Sequence, residues 1–174
     1  MTDVADLYAA GLERHLALIT ELTEEDGERV TPACPEWRVK DVYAHLAGLC
    51  SDVIEGRTDG AGTDEWTGRQ VEARRDTPFA DIVAELRQQG PQLVEVLRQF
   101  PVERIAIDQW THEQDVRGAV GKRGSRDVPV VSWAIGLMSG GLDQQWRKEG
   151  RRPVRIEASS ATFTLGEGEP VQVI

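Results

Sequence analysis

Residues 39–55 read Val39-Lys-Asp-Val-Tyr-Ala-His45-Leu-Ala-Gly-Leu-Cys-Ser-Asp-Val-Ile-Glu55. Val42, Leu46 and Leu49 share with His45 the spacing of one face of an α-helix, so the stretch predicts a helix with a buried, mostly apolar face. A histidine on such a face needs a partner for each ring nitrogen. His45 is therefore either a core histidine bonded to its neighbours or a metal ligand.

Apolar residues recur at helical spacing in other segments as well. The predicted helices span about residues 3–24, 65–75, 79–97, 102–120 and 129–149. Pro78 is expected in the first turn of the third main helix after a Thr77 cap, and Gly90-Pro91 is expected to kink or break that helix. Residues 31–37 carry two prolines and are expected to form a turn.

The pattern changes to alternation beyond residue 153, where apolar residues occupy every second position. This alternation predicts short strands in a small meander. The sequence therefore predicts a mainly α protein, a four-helix bundle with a short C-terminal β-strand appendage. The expected domains are residues 1–150 and residues 151–174.

The charge and composition of the chain limit the kinds of partner that it can bind. The 174 residues include 30 acidic and 20 basic side chains, for a net charge of −10. An acidic surface repels phosphate backbones, so we expect neither nucleic acid nor membrane as a partner. No apolar run approaches the length of a membrane span, and the N-terminus lacks the pattern of a signal peptide, so we expect a cytoplasmic protein. Cys34 and Cys50 are expected as small reduced core residues rather than nucleophiles.

The helix predicted over residues 102–120 carries polar side chains on its inward face. Asp108 and His112 are four residues apart, so they lie one helical turn from each other on the same side. Together with His45 from a facing helix they make a set of two nitrogens and one oxygen, with room for an exogenous ligand. An Asp–His hydrogen-bonded pair beside a separate core histidine fits the same spacing equally well.

The neighbours of these residues have expected roles of their own. Asp115 is expected either to orient His112 or to pair with Arg117 or another arginine. Glu113 points off this face and is expected to be solvated. His15 is expected to be exposed or at the rim of the bundle, and Trp37, Trp66 and Trp110 are expected to serve in packing.

Several blocks of the sequence resemble a known family. Residues 31–48 read Thr31-Pro-Ala-Cys-Pro-Glu-Trp-Arg-Val-Lys-Asp-Val-Tyr-Ala-His45-Leu-Ala-Gly48 and resemble the proline–tryptophan turn and helix of DinB-like metalloproteins. They are most similar to the N-terminal metal-binding domain of the mycothiol-dependent maleylpyruvate isomerase family. Residues 66–71 and 108–121 resemble two further blocks of that family, and residues 152–166 resemble the opening of its smaller C-terminal domain.

The resemblance implies a DinB-like bundle in which His45, Asp108 and His112 hold a divalent metal, expected to be zinc. The isomerase-type members commonly have Glu where Asp108 stands. Asp115 and Arg117 are the candidates for supporting this centre, and the resemblance assigns no catalytic side chain.

The resemblance also implies mycothiol as co-substrate, which fits the actinobacterial type of genome that the preference for arginine over lysine indicates. The expected activity is isomerisation or S-transfer on a small electrophilic substrate, by a metal-activated thiolate. Because the chain covers only the opening of the family's C-terminal domain, a non-catalytic metal-binding or interaction module, such as a homodimer, is the alternative.

Overall fold

The computed structural model describes residues 3–158 and 161–174 of the chain. These residues form two compact units, one ending at Gly124 and the other beginning at Ser125. The domain boundary expected after residue 150 stays a prediction.

The elements of the first unit are α1 (Val4–Ile19), α2 (Glu24–Gly27), β1 (Val30–Thr31), β2 (Cys34–Arg38), α3 (Val39–Ile54), α4 (Asp64–Glu72), α5 (Phe79–Gln99) and α6 (Glu103–Val120). The elements of the second unit are α7 (Pro129–Lys148), β3 (Val154–Ala158), β4 (Ala161–Leu165) and β5 (Gln172–Val173). No helix in the described ranges has the length and apolar character needed to cross a membrane.

Four long helices, α1, α3, α5 and α6, pack on one another and enclose the core of the first unit. The fully buried side chains at its centre come from all four: Tyr8, Val42, Tyr43, Ile82, Leu86, Leu93, Leu97 and Val116. The shorter α4 lies against α3. The prediction of a mainly helical four-helix bundle followed by short C-terminal strands is therefore confirmed.

The first helix ends earlier than its apolar pattern predicts. The side chain of Asp3 caps its start by accepting a hydrogen bond from the backbone N–H of Ala5. It stops at Ile19 rather than near residue 24 because Thr23 begins a separate short helix. Thr23 and Asp26 form a capping box there, each side chain accepting from the other residue's backbone N–H.

The helix α5 differs from its prediction at its start and at Pro91. It begins at Phe79 with Pro78 in the capping position, so Thr77 is not the cap, and it continues through Pro91 to Gln99 without a break. Gly90 serves packing instead, because a Cβ atom there would lie 2.6 Å from Leu12 Cδ2 on α1. The glycine lets α1 and α5 approach closely. The expected break was wrong, and the kink at Pro91 stays a prediction.

The proline-containing stretch before α3 is a small hairpin rather than a simple turn. Strands β1 and β2 pair antiparallel, with Thr31 opposite Cys34 and Val30 opposite Arg38. The buried Thr31 hydroxyl lies 2.7 Å from the Cys34 carbonyl oxygen and 3.0 Å from that of Trp37. The hairpin thereby fixes Trp37 immediately before α3.

The second unit places α7 against β4. Its three strands have the order β4-β3-β5, with β3 antiparallel to β4 and parallel to β5. The expected meander was wrong, because β5 runs beside β3 on the side opposite β4. The Asp143 carboxylate accepts from the backbone N–H of Gly166 at 2.8 Å, and Trp146 Nε1 donates to the Arg152 carbonyl at 2.9 Å.

His15 is buried in the first unit, at 1% exposure, so its expected position at the rim was wrong. Its sequence neighbour Glu13 is exposed, whereas His15 faces α6 and α3. Its Nε2 donates to the Gln109 carbonyl at 3.0 Å, and its Nδ1 lies 3.4 Å from the Tyr43 hydroxyl. Burial lowers the pKa of His15 to about 4.

This burial predicts a pH dependence of stability. The unfolded chain binds a proton on His15 near pH 6.5, whereas the folded protein resists it until about pH 4. The contribution of neutral, buried His15 to the free energy of unfolding is therefore complete above pH 6.5. It is lost as the pH falls from 6.5 toward 4. The loss at pH 5 should be about 2 kcal/mol relative to pH 8.

Urea unfolding of the wild type and of His15→Gln at several pH values measures this loss. Other titrating groups contribute equally to both proteins, so the wild-type curve should fall more steeply between pH 6.5 and pH 4. Parallel curves would show that His15 does not carry the effect.

Candidate metal centre

Three side chains of the first unit converge where α3 faces α6. One donor atom from each of His45, Asp108 and His112 lies within 4.8 Å of the other two. His45 Nε2 is 3.1 Å from Asp108 Oδ2, and His112 Nε2 is 3.5 Å from Asp108 Oδ1. The structure therefore brings together the three residues that the sequence proposed as ligands.

These distances fit a metal. Ligand atoms bound to a tetrahedral zinc at about 2.0–2.2 Å lie about 3.3–3.6 Å from one another. The distances from the two imidazoles to Asp108, each to a different carboxylate oxygen, are near this separation. Two imidazole nitrogens and one carboxylate are also a donor set that zinc accepts.

The cluster is buried on one side and open on the other. The side chain of His45 is 3% exposed and that of His112 16%, whereas that of Asp108 is 36% exposed. Solvent and small dissolved molecules can therefore reach the cluster from the side of Asp108.

Asp115 holds the second ring of the cluster. The Nδ1 of His112 donates to Asp115 Oδ2 at 2.9 Å. Of the two roles foreseen for Asp115, the structure shows the one in which it orients His112. Arg117 bonds to Glu113 and to the Lys122 carbonyl oxygen instead.

His45 has an equivalent partner that sequence reasoning missed. Its Nδ1 lies 2.7 Å from Oε1 of Gln70, a buried residue of α4. The Nε2 of Gln70 donates in turn to Asp52 Oδ2 at 2.7 Å. Gln70 lies in the second block of family resemblance, which was the signal available in the sequence.

Trp37 forms a wall of the cluster. Its ring stacks on His112 with centroids 5.7 Å apart and an interplanar angle of 20°, and it lies 5.6 Å from the ring of His45. Packing was the role expected for Trp37, and the rings that it packs on are those of the candidate ligands. Trp66 is buried elsewhere and donates to the Arg57 carbonyl at 3.1 Å.

The electrostatics of the cluster favour positive charge. Burial raises the pKa of Asp108, but hydrogen bonds from His112 and His45 outweigh it and hold that pKa well below its ordinary value. Burial lowers the pKa of His112, whereas its hydrogen bonds to Asp108 and Asp115 more than compensate and raise it to about 9. Carboxylates on two sides thus stabilise a cation in this position.

Neither cysteine is suited to act as a nucleophile at neutral pH. Burial raises the pKa of Cys50 to about 11, and its Sγ contacts the Tyr8 hydroxyl at 3.3 Å. Burial also raises the pKa of Cys34, whose Sγ lies 2.8 Å from the Thr31 hydroxyl. Both thiols are therefore mostly protonated near pH 7.

Glu113, expected to be solvated, is completely buried. Its carboxylate accepts from Arg14 Nε at 2.8 Å and from Arg117 Nε at 2.9 Å. The expectation was wrong because the side of α6 next to the ligand face meets α1 rather than solvent.

The fold and the cluster agree with a comparison against protein families. The model for the mycothiol maleylpyruvate isomerase N-terminal domain matches residues 8–128. The chain belongs to this family. The matched range includes the three converging residues and Gln70, so the resemblance to the family's N-terminal domain is confirmed. The resemblance of residues 152–166 to the C-terminal domain lies outside the match and stays a prediction. Comparison with curated proteins and with solved structures gave no match.

The buried position of Glu113 predicts a large effect of a small change. Glu113→Gln keeps the shape of the side chain but leaves Arg14 and Arg117 without their buried counter-charge. We expect the free energy of unfolding to fall by about 3 kcal/mol.

Denaturant unfolding measures the effect of Glu113→Gln. Glu103→Gln, in the exposed first turn of the same helix, is the matched control and should cost less than about 1 kcal/mol. Equal losses in the two variants would contradict a buried charge cluster at Glu113.

Proposed function

We propose that this chain is a metal-dependent enzyme that uses a low-molecular-weight thiol as the nucleophile toward a small electrophilic substrate. The observation that carries the proposal is the arrangement of His45 and His112. Each ring has its Nδ1 hydrogen-bonded to a side-chain oxygen and its Nε2 directed at the Asp108 carboxylate. Metal-bound histidines typically have their second nitrogen held in this way.

His45, Asp108 and His112 would hold the metal, and zinc is the proposed ion. Three protein ligands leave a fourth position of a tetrahedral zinc for an exogenous ligand, which is the pattern of catalytic rather than structural sites. The exposure of Asp108 supports access to that position from solvent. Asp115 orients His112 for the same purpose.

When bound, a divalent metal with an open position would convert a coordinated thiol to its thiolate at neutral pH. The thiol is proposed to come from outside the chain, because neither Cys34 nor Cys50 is among the converging residues. Membership of the family supports mycothiol in this role. Addition of the thiol to a conjugated acid, bond rotation and expulsion of the thiol would isomerise the acid. Displacement of a leaving group would instead be S-transfer.

The proposed partners and location are based on the charge of the chain. A net charge of −10 supports small-molecule partners over nucleic acid, and we propose the cytoplasm as the site of action. A homodimer is compatible with the proposal and is tested by the mass of the purified protein in solution.

The test begins with metal content and with the visible spectrum of the cobalt-substituted protein. The proposal expects stoichiometric metal and a spectral change on addition of mycothiol. Turnover of conjugated acids and of substrates with leaving groups then separates isomerase from S-transferase. Metal binding without a response to thiol would favour the non-catalytic module instead.

His112→Ala tests the ligand set. Two remaining ligands are too few for tight zinc binding, so we expect loss of metal and of any thiol-dependent turnover. The helices have apolar faces of their own, so helicity should persist and stability should change by about 1–3 kcal/mol. Circular dichroism and metal analysis measure the two effects.

His15→Gln is the matched control for His112→Ala, because it replaces another buried histidine of the bundle that is not among the converging residues. It should retain stoichiometric metal. Retention of metal by His112→Ala would remove His112 from the ligand set. Complete unfolding of that variant would make the centre structural.

A further inference from the structure

Gln70 reaches the candidate centre from α4, an element that contributes none of the three converging residues. Its side chain is 3% exposed, and its Oε1 lies 2.7 Å from His45 Nδ1. A glutamine amide can present either its oxygen or its NH2 group to an imidazole. Which one faces His45 decides which ring nitrogen carries the proton.

Asp52 decides the orientation of this amide. Its Oδ2 lies 2.7 Å from Gln70 Nε2, and its Oδ1 accepts from Arg57 Nε at 2.9 Å. An ionised carboxylate only accepts hydrogen bonds, so the NH2 group of Gln70 has to face Asp52. The amide oxygen is thereby turned toward His45.

The consequence for His45 follows directly. Facing a carbonyl oxygen at 2.7 Å, its Nδ1 has to donate and therefore carries a proton. In the metal-free protein its Nε2, 3.1 Å from Asp108, donates a hydrogen bond to that carboxylate. With Nδ1 held as a donor, loss of this second proton leaves Nε2 as the nitrogen that can give a lone pair to a cation.

The fold keeps Gln70 in this place by close packing. A Cβ atom at Gly48 on α3 would lie 2.5 Å from Gln70 Cβ and 2.7 Å from Gln70 Cγ, so α4 can approach α3 only at a glycine. Arg74, one turn further along the chain from Gln70, forms an ion pair with Glu85 of α5, with Nε 2.8 Å from Oε2. This pair ties the end of α4 to the bundle.

We infer that Gln70 is a positioning residue of the metal centre, which fixes the proton of His45 on Nδ1 and is itself oriented by Asp52. The inference rests on the proposed function for its purpose, since the fixed proton leaves Nε2 to bind the metal. The protonation pattern is a property of the metal-free protein and can be measured without metal.

The first experiment is nitrogen–proton correlation spectroscopy of the imidazole rings in the metal-free protein near neutral pH. In the wild type His45 Nδ1 should be protonated and slow to exchange with solvent. In Gln70→Leu that proton should be lost from Nδ1, because a buried N–H without an acceptor is costly. Gln89→Leu, the same change at a half-buried residue of α5, should leave the pattern unchanged.

The second experiment measures zinc affinity by competition with a chelator. Loss of a residue that orients a ligand typically reduces metal affinity 10–100-fold, and we expect Gln70→Leu to fall in this range. The double variant Asp52→Asn/Gln70→Glu exchanges the carboxylate and the amide, so the His45 proton again meets an oxygen held by an NH2 group. The double variant should keep most of the zinc affinity of the wild type, whereas Asp52→Asn alone should not.

The outcomes separate the inference from the proposed function. An unprotonated Nδ1 in the wild type, or an unchanged pattern in Gln70→Leu, overturns the positioning role whatever the metal does. Equal zinc affinity of Gln70→Leu and Gln89→Leu overturns it as well. The predicted protonation pattern in a wild-type protein that binds no zinc would leave the positioning role intact and refute the proposed function.

Discussion

The carboxylate of Asp108 lies between the Nε2 atoms of two imidazoles, and the candidate centre is organised around this contact. A charge between packed helices is costly unless opposite charge or hydrogen bonds compensate it. Here each imidazole edge that faces Asp108 is backed by an oxygen on its far side, from Gln70 or from Asp115. Two helices thus present imidazole rings to one carboxylate, each ring supported by a second oxygen.

The bundle supplies this geometry because its helices approach closely at chosen places. Gly48 lets α4 bring Gln70 to His45, and Gly90 lets α1 rest on α5 against Leu12. The hairpin before α3 adds Trp37, whose ring lies against both imidazoles. Rings packed in this way have few alternative orientations, so the donor atoms are held in place before any ligand arrives.

Helical spacing was sufficient to predict the main helices and to place Asp108 and His112 on the face that meets His45. It could not place groups whose environment depends on which neighbour packs alongside. Glu113 is one residue from a ligand candidate, yet it is buried because α1 brings Arg14 to it. His15 resembled a surface residue because its sequence neighbours are charged. The role of Gln70 depends on its contacts with Asp52 and His45, which lie 18 and 25 residues earlier in the chain. No local pattern encodes such contacts.

The helix α6 has two polar interfaces. One carries the candidate ligands, and the other helps to hold the fold. On one side it presents Asp108 and His112 to α3, and on the adjoining side Glu113 joins it to Arg14 of α1. The second contact and the buried apolar residues Ile105 and Val116 anchor α6 to the bundle without reference to a cation. Under the proposed function this anchoring lets one coordination position go to an exogenous molecule, because the fold does not need that position filled. The apolar core of this bundle distinguishes it from small zinc domains, in which the metal replaces a core that the chain is too short to build.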